Sequence, residues 1–324
     1  MRILITGGTG FIGKQLAQRL LDMNSLTFEG QAPRTIERIV LFDAFAGEDV
    51  PSDPRIELVT GDIADPDVIA RVTDGVDLVW HLAAVVSSAA EADFDLGMQV
   101  NLHGLMLLLE TLRKQGNAPR FVYASGFAVF GGALPPVVDD NTVLTPQSSY
   151  GMQKAVGELL VADYARKGFV DGRVLRLPTV AVRPGKPNKA ASTFFSSIIR
   201  EPLVGLPAVC PVRPDTRVYL TSPRRIVESM LLGMTLSPQT LGGERIIPLP
   251  GVTTTVADMV AALQRVAGDD VVKLIRWEPD ATIQRIVESW PSKVEAPRAR
   301  ALGFTADADF DAIVRAHIED TAGK

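Results

Sequence analysis

Tyr150 and Lys154 stand four residues apart in SSYGMQK, a spacing that puts both side chains on one face of a helix, one turn from each other. A phenol with an ordinary pKa of about 10 is a poor base at neutral pH. A cation within about 4–6 Å lowers that value by roughly 1–3 units, so the lysine gives the tyrosine the means to take a proton from an alcohol. Earlier in the chain, FVYASGFAVFGG could bring a second hydroxyl to the same site. Ser125 offers it, followed by Gly126. Ser125 has two readings: a hydroxyl that acts on the substrate, or a strand-end serine that hydrogen-bonds the backbone.

These groups need a frame, and the apolar pattern supplies one. The runs RILITGG, RIVLFDA, IELVTGDI, VDLVWHLAA, RFVYAS and RVLRLPTVAV alternate with helical patterns such as IGKQLAQRLLDM and DPDVIARVTDG, with one long helix from about 92 to 115 and another from about 149 to 166. Strands rich in Val, Ile and Leu that alternate with helices predict a doubly wound α/β domain, a Rossmann fold with a parallel sheet. It is expected over residues 1–182, with a smaller α/β substrate lobe over 183–324 and part of 219–249 returning to the first domain. Ser222 before Pro223 predicts a capped helix start.

Ligands of such a sheet lie at the carboxyl ends of its strands. In TGGTGFIG, Gly7, Gly10 and Gly13 follow the first strand and open a helix, with Phe11 and Ile12 between them. That arrangement lets backbone amides and the positive helix end hold a pyrophosphate. Asp43, closing the next strand, suits both hydroxyls of an adenosine ribose and repels a ribose phosphate, and Ala44 rather than arginine follows it. NAD is therefore expected rather than NADP, although Arg34 and Arg38 precede that strand. Asp62 and Ile63 should border the adenine, and Leu82, Ala83 and Ala84 of HLAA should line the cofactor.

Composition excludes several classes. With 33 basic and 38 acidic residues the formal charge is −5, which gives no field to gather nucleic acid or anionic lipid. Cys210 is the lone cysteine, and His81, His103 and His317 lack metal-ligand spacing, so no metal is expected. No apolar stretch reaches the roughly 20 residues of a membrane span, and MRILITGG lacks the features of a signal peptide, which points to the cytoplasm.

Taken together, TGGTGFIG, HLAA, SGFAVFG and YGMQK resemble the extended short-chain dehydrogenase/reductase family, which includes sugar-nucleotide epimerases and dehydratases. HLAAVVSSAAEADFDLGMQVN, the stretch from LTPQSSYGMQK to VRPGKPN, and REPLVG are similar to its D-erythronate dehydrogenase branch. The resemblance implies NAD-dependent oxidation of the C2 hydroxyl of a four-carbon sugar acid to a 2-oxo acid. It makes Tyr150 the proton acceptor and Lys154 its support and the holder of the nicotinamide ribose, with Asn101 and Pro178 nearby. Gly126 is a departure, because the family usually carries Ser or Thr at that position.

An aldonate carboxylate calls for a cation, and Arg183, Lys186 and Arg217 are the candidates. Asn188, Ser192 and Thr193 suit substrate hydroxyls, and Ser87 and Ser88 lie where family substrates pass. The helix carrying GLMLLLETL is apolar around much of its circumference; the resemblance implies a homodimer contact that it shares with the Tyr150 helix, and burial within one chain is the alternative. Two other functions stand beside the dehydrogenase: a sugar-nucleotide epimerase or dehydratase, and a catalytically silent NAD-binding protein.

Overall fold

Val, Ile and Leu runs with little polar interruption form the centre of the sheet. In the computed structural model, which describes residues 1–185 and 191–322, seven strands make it up: β1 (Arg2–Thr6), β2 (Arg38–Asp43), β3 (Ile56–Thr60), β4 (Leu78–His81), β5 (Arg120–Gly126), β6 (Asp171–Leu177) and β7 (Ile246–Pro248). Their order is β7-β6-β5-β4-β1-β2-β3. The pairs β1–β2, β1–β4, β2–β3 and β4–β5 are parallel. Strand order reverses between β1 and β4, so the crevice at their carboxyl ends lies between the glycine turn after β1 and the HLAA segment after β4. This is the expected Rossmann architecture.

The helices that matter for the site are α1 (Phe11–Met23), α2 (Pro66–Thr73), α3 (Gly104–Gln115), α4 (Ser149–Arg166) and α5 (Pro223–Thr235). Asp65 caps α2 through the amides of Asp67 and Val68, and Ser148 caps α4 through Gly151. Ser222 accepts from the Arg225 amide at the start of α5. The helix expected from about 92 to 115 runs from Phe94 to Gln115, with a π-helical stretch inside it. Asp93 leaves helical geometry and caps a new turn through Leu96, and residues Met98–His103 form a π-helix before α3 begins. A π turn of this kind is frequent at functional sites.

The chain divides into two units. The first comprises residues 1–129, 148–176 and 227–247; the second comprises 130–147, 177–226 and 248–324. In the first, Leu105, Leu108, Leu109 and Leu112 of α3 pack with Phe121, Tyr123 and Val161. Thus most of the apolar circumference of α3 is buried within its own unit, leaving Met106 exposed there and Leu159 exposed on α4. In the second unit, Arg217–Thr221 pairs with Thr179–Val180 and Val252–Thr255, over a core that includes Phe195, Ile198 and Met259. Cys210 is buried in that core, and burial pushes its thiol up to about 11. No described helix is long and apolar enough to cross a membrane.

Candidate active site

The turn after β1 is built by close approach. Gly7 has φ +69°, and a Cβ there would meet the backbone nitrogen of Ala83 at 2.7 Å. A Cβ on Gly13 would meet the carbonyl oxygens of Gly7 at 2.5 Å and Gly8 at 2.7 Å. Gly10 caps α1 without a side-chain hydrogen bond, so the first amides of the helix, at Phe11 and Ile12, face the loop uncapped. Asp43 accepts from the Thr9 amide at 3.1 Å and from the Ala44 amide at 2.8 Å, which fixes its carboxylate beside the same turn. Such a cradle fits a dinucleotide: amides and a helix end for the pyrophosphate, a carboxylate for the ribose. Arg34 pairs with Asp77, and Arg38 pairs with Glu57 at the opposite end of β2 from Asp43. Neither guanidinium sits where a ribose phosphate would need it.

Asp62 accepts from Ala64 and Gln99, while Ile63 is buried against Gly104. Leu82, Ala83 and Ala84 follow β4, and Ala83 donates to Thr6 Oγ1. Asn101, within the π-helix, spends its whole amide on the protein. Its Oδ1 accepts from the Val85 amide at 2.8 Å, and its Nδ2 donates to the Val85 carbonyl at 3.0 Å and to Gln153 Oε1 at 2.8 Å. Asn101 thereby fastens the segment after HLAA to α4, next to Lys154.

Along α4, Tyr150, Lys154 and Glu158 recur every four residues and share one face. The Lys154 ammonium donates to the Ala124 carbonyl at 2.8 Å and lies 4.7 Å from the Tyr123 ring centre and 5.6 Å from that of Tyr150. Burial lowers Lys154 to about 8, while the Glu158 carboxylate opposes that fall. Burial likewise raises Tyr150 to about 12. With protein groups alone, burial keeps the proton on the phenol, and the lowering expected from the spacing is not seen.

Ser125 is 4% exposed, and its hydroxyl donates to Glu158 Oε1 at 2.6 Å. Gly126 ends β5 and is not among the described glycines with positive φ, so its backbone conformation is open to other residues. Arg176 of β6 meets the same Glu158 carboxylate through Nε and Nη2, the shorter contact being 2.7 Å. The sequence reading missed Glu158 and Arg176. Two signals were available: a carboxylate four residues after Lys154, and an arginine inside the apolar run RVLRL.

Ser87 and Ser88 open a short helix and are exposed. Pro178, Arg183, Ser192, Thr193 and Arg217 belong to the second unit, where Arg217 is exposed at the start of its strand. Arg183 donates to Ser192 Oγ at 3.2 Å and to its carbonyl at 3.4 Å; burial and the nearby Arg200 lower its pKa. Lys186 and Asn188 lie outside the described residues.

A model of the NAD dependent epimerase/dehydratase family matches residues 3–213. The chain belongs to that family. Family members align with it almost end to end. A D-erythronate dehydrogenase from Cupriavidus necator is 54% identical, over 99% of this chain and 98% of its own length. Another from Haemophilus influenzae is 43% identical, over 98% and 99%. The crystal structure of a nucleoside-diphosphate-sugar epimerase from Agrobacterium tumefaciens superposes with a TM-score of 0.94 at 42% identity, covering 100% of this chain and 95% of that one. As a member of this family the protein is an NAD-dependent oxidoreductase.

Proposed function

We propose that this protein oxidises the C2 hydroxyl of a four-carbon sugar acid of the D-erythronate type to the 2-oxo acid. The observation that carries the reading is the placement of Tyr150 and Lys154 on one face of α4, in the same unit as the glycine turn. The substrate class rests on the name shared by the two full-length relatives. Bound NAD supplies the hydride acceptor and a positively charged ring. Tyr150 takes the hydroxyl proton. Lys154 keeps its charge beside the phenol and anchors a ribose hydroxyl, and the rest of the acceleration comes from holding the reactants in register. Gly7, Gly10 and the amides of Phe11, Ile12 and Gly13 hold the pyrophosphate, Asp43 the adenosine ribose, and Asp62 and Ile63 border the adenine. For the substrate carboxylate we assign Arg183, whose guanidinium has the two oxygens of Ser192 as its described partners.

NAD reduction measured across D-erythronate, L-threonate and longer aldonates tests this. The expected result is one NADH per substrate, fastest with a four-carbon acid. Conversion without NADH release would move the protein to an epimerase or dehydratase, the reading favoured by its likeness to the Agrobacterium structure. NAD binding with no turnover on any sugar would leave a silent binding protein. The exposed Met106 and Leu159 support a homodimer through α3 and α4; light scattering after size exclusion should give twice the mass of the chain, and a monomer at micromolar concentration would contradict it.

A further inference from the structure

Three consecutive residues of β5 grip the catalytic helix. Tyr123 lays its ring under the Lys154 ammonium, Ala124 accepts that ammonium through its carbonyl, and Ser125 donates to Glu158. Glu158 is fully buried, and its two oxygens take three contacts from the Arg176 guanidinium besides the serine hydroxyl. A buried carboxylate is tolerated only when paired and hydrogen-bonded, and this one has both kinds of partner.

Resting on the dehydrogenase reading, we propose that Ser125, Glu158 and Arg176 form a buried positioning set: Ser125 and Arg176 hold the Glu158 carboxylate on the Lys154 face of α4, where its negative charge keeps Lys154 protonated. Ser125 therefore acts through Glu158 and not on the substrate oxygen. The charges facing Lys154 fit this role. On its own helix it feels the Glu158 carboxylate and lies near the Tyr150 ring; from β5 it lies over the Tyr123 ring, and from β4 it acts at longer range on His81, which burial and Lys154 itself hold neutral, down to about 3. Glu158 is the one carboxylate among these groups. Arg176 offsets part of its charge, leaving the set Lys154, Glu158 and Arg176 at a net single positive charge. An anion formed on Tyr150 brings that total to zero, so the set favours the phenolate at the moment of proton transfer.

The test uses the full-length protein labelled with 13C at the lysine ε carbon, its nine lysines giving a tractable spectrum and Lys154 assigned by its loss in Lys154→Met. The Lys154 titration is read without cofactor, beside pH profiles of kcat and kcat/KM for NAD reduction. In Glu158→Gln, Lys154 should titrate at least tenfold more readily, its midpoint one pH unit lower, and the alkaline limb of kcat should move the same way. In Ser125→Ala, kcat at pH 7 should fall by tenfold or less, with the Lys154 midpoint moving down. An unchanged midpoint in Glu158→Gln overturns the proposal. So does a loss above tenfold in Ser125→Ala with the midpoint unmoved, the signature of a hydroxyl that touches substrate. Should Glu158→Gln strand Arg176 and fail to fold, Ser125→Ala decides alone, since it leaves the ion pair in place. Because the titration needs no turnover, it separates failure of this proposal from failure of the dehydrogenase reading.

Discussion

Gly157 of α4 faces the Tyr123 phenol with no room for a side chain between them: a Cβ there would stand 2.8 Å from Tyr123 Cζ and 2.9 Å from Leu105 Cδ2. That approach sets the depth at which Lys154 and Glu158 lie against β5. Overpacking at such a contact costs about 1–3 kcal/mol, against about 1 kcal/mol of helix propensity returned by alanine. Gly157→Ala should therefore lower the melting temperature by a few degrees and reduce kcat as Lys154 is pushed off the Ala124 carbonyl. A melting temperature equal to or above that of the native chain would show that the phenol moves aside freely.

Tyr150→Phe removes the proton acceptor and keeps the ring. Turnover should fall by about 10²–10⁴-fold, the scale of a positioned proton-transfer group. NAD affinity, measured by tryptophan fluorescence, should stay within about threefold, because the pyrophosphate and adenosine contacts are made elsewhere. Retention of more than a tenth of the activity would assign the proton to another group.

Lys154 links the site to stability. Its folded pKa lies near 8, below the ordinary 10.5. Between those values the unfolded chain holds a proton that the folded chain has released, so stability rises with pH across that window. Below pH 8 both states carry the proton, and the cost of burying the charge is fully present. The gain across the window is on the order of 3 kcal/mol. Urea titrations at pH 7.5 and 9.5 should show a smaller rise in Lys154→Met than in the native protein, and equal slopes would contradict the assignment.

Asp43→Asn tests the choice of cofactor. The carboxylate is held by the amides of Thr9 and Ala44, and losing its charge should raise the KM for NAD by about tenfold or more, the worth of a charged hydrogen bond. NADP, no longer repelled, should narrow its disadvantage. If both cofactors respond equally, Asp43 serves only the turn.

Much of the first unit was legible because its information is local. The Val, Ile and Leu runs at 2–6, 38–43, 78–81, 120–126 and 171–177 mark the strands, and the periodic stretch from Ser149 to Arg166 marks α4 at the observed bounds. The break at Asp93 and the π turn after it were not visible. Asp93 caps a new turn there, while Asn101 is tied to Val85 and Gln153, contacts that periodicity does not encode. The partner of Ser125 was hidden for the same reason. A serine at a strand end looks alike whether it meets backbone, substrate or, as here, a carboxylate 33 residues away.

The first unit is completed late in synthesis. Trp80 donates its indole N–H to the Met230 carbonyl, and Arg120 and Arg173 both donate to that of Met234, all within α5, while the outermost strand ends at Pro248. A nascent chain that has reached residue 226 holds six of the seven strands and the whole glycine turn, and Arg120 and Arg173 already have Asp171, yet the indole and both guanidiniums still lack the carbonyls of Met230 and Met234. A ribosome stalled there, or a fragment cut after the sixth strand, would present an unfinished sheet edge to chaperones rather than a working nucleotide fold.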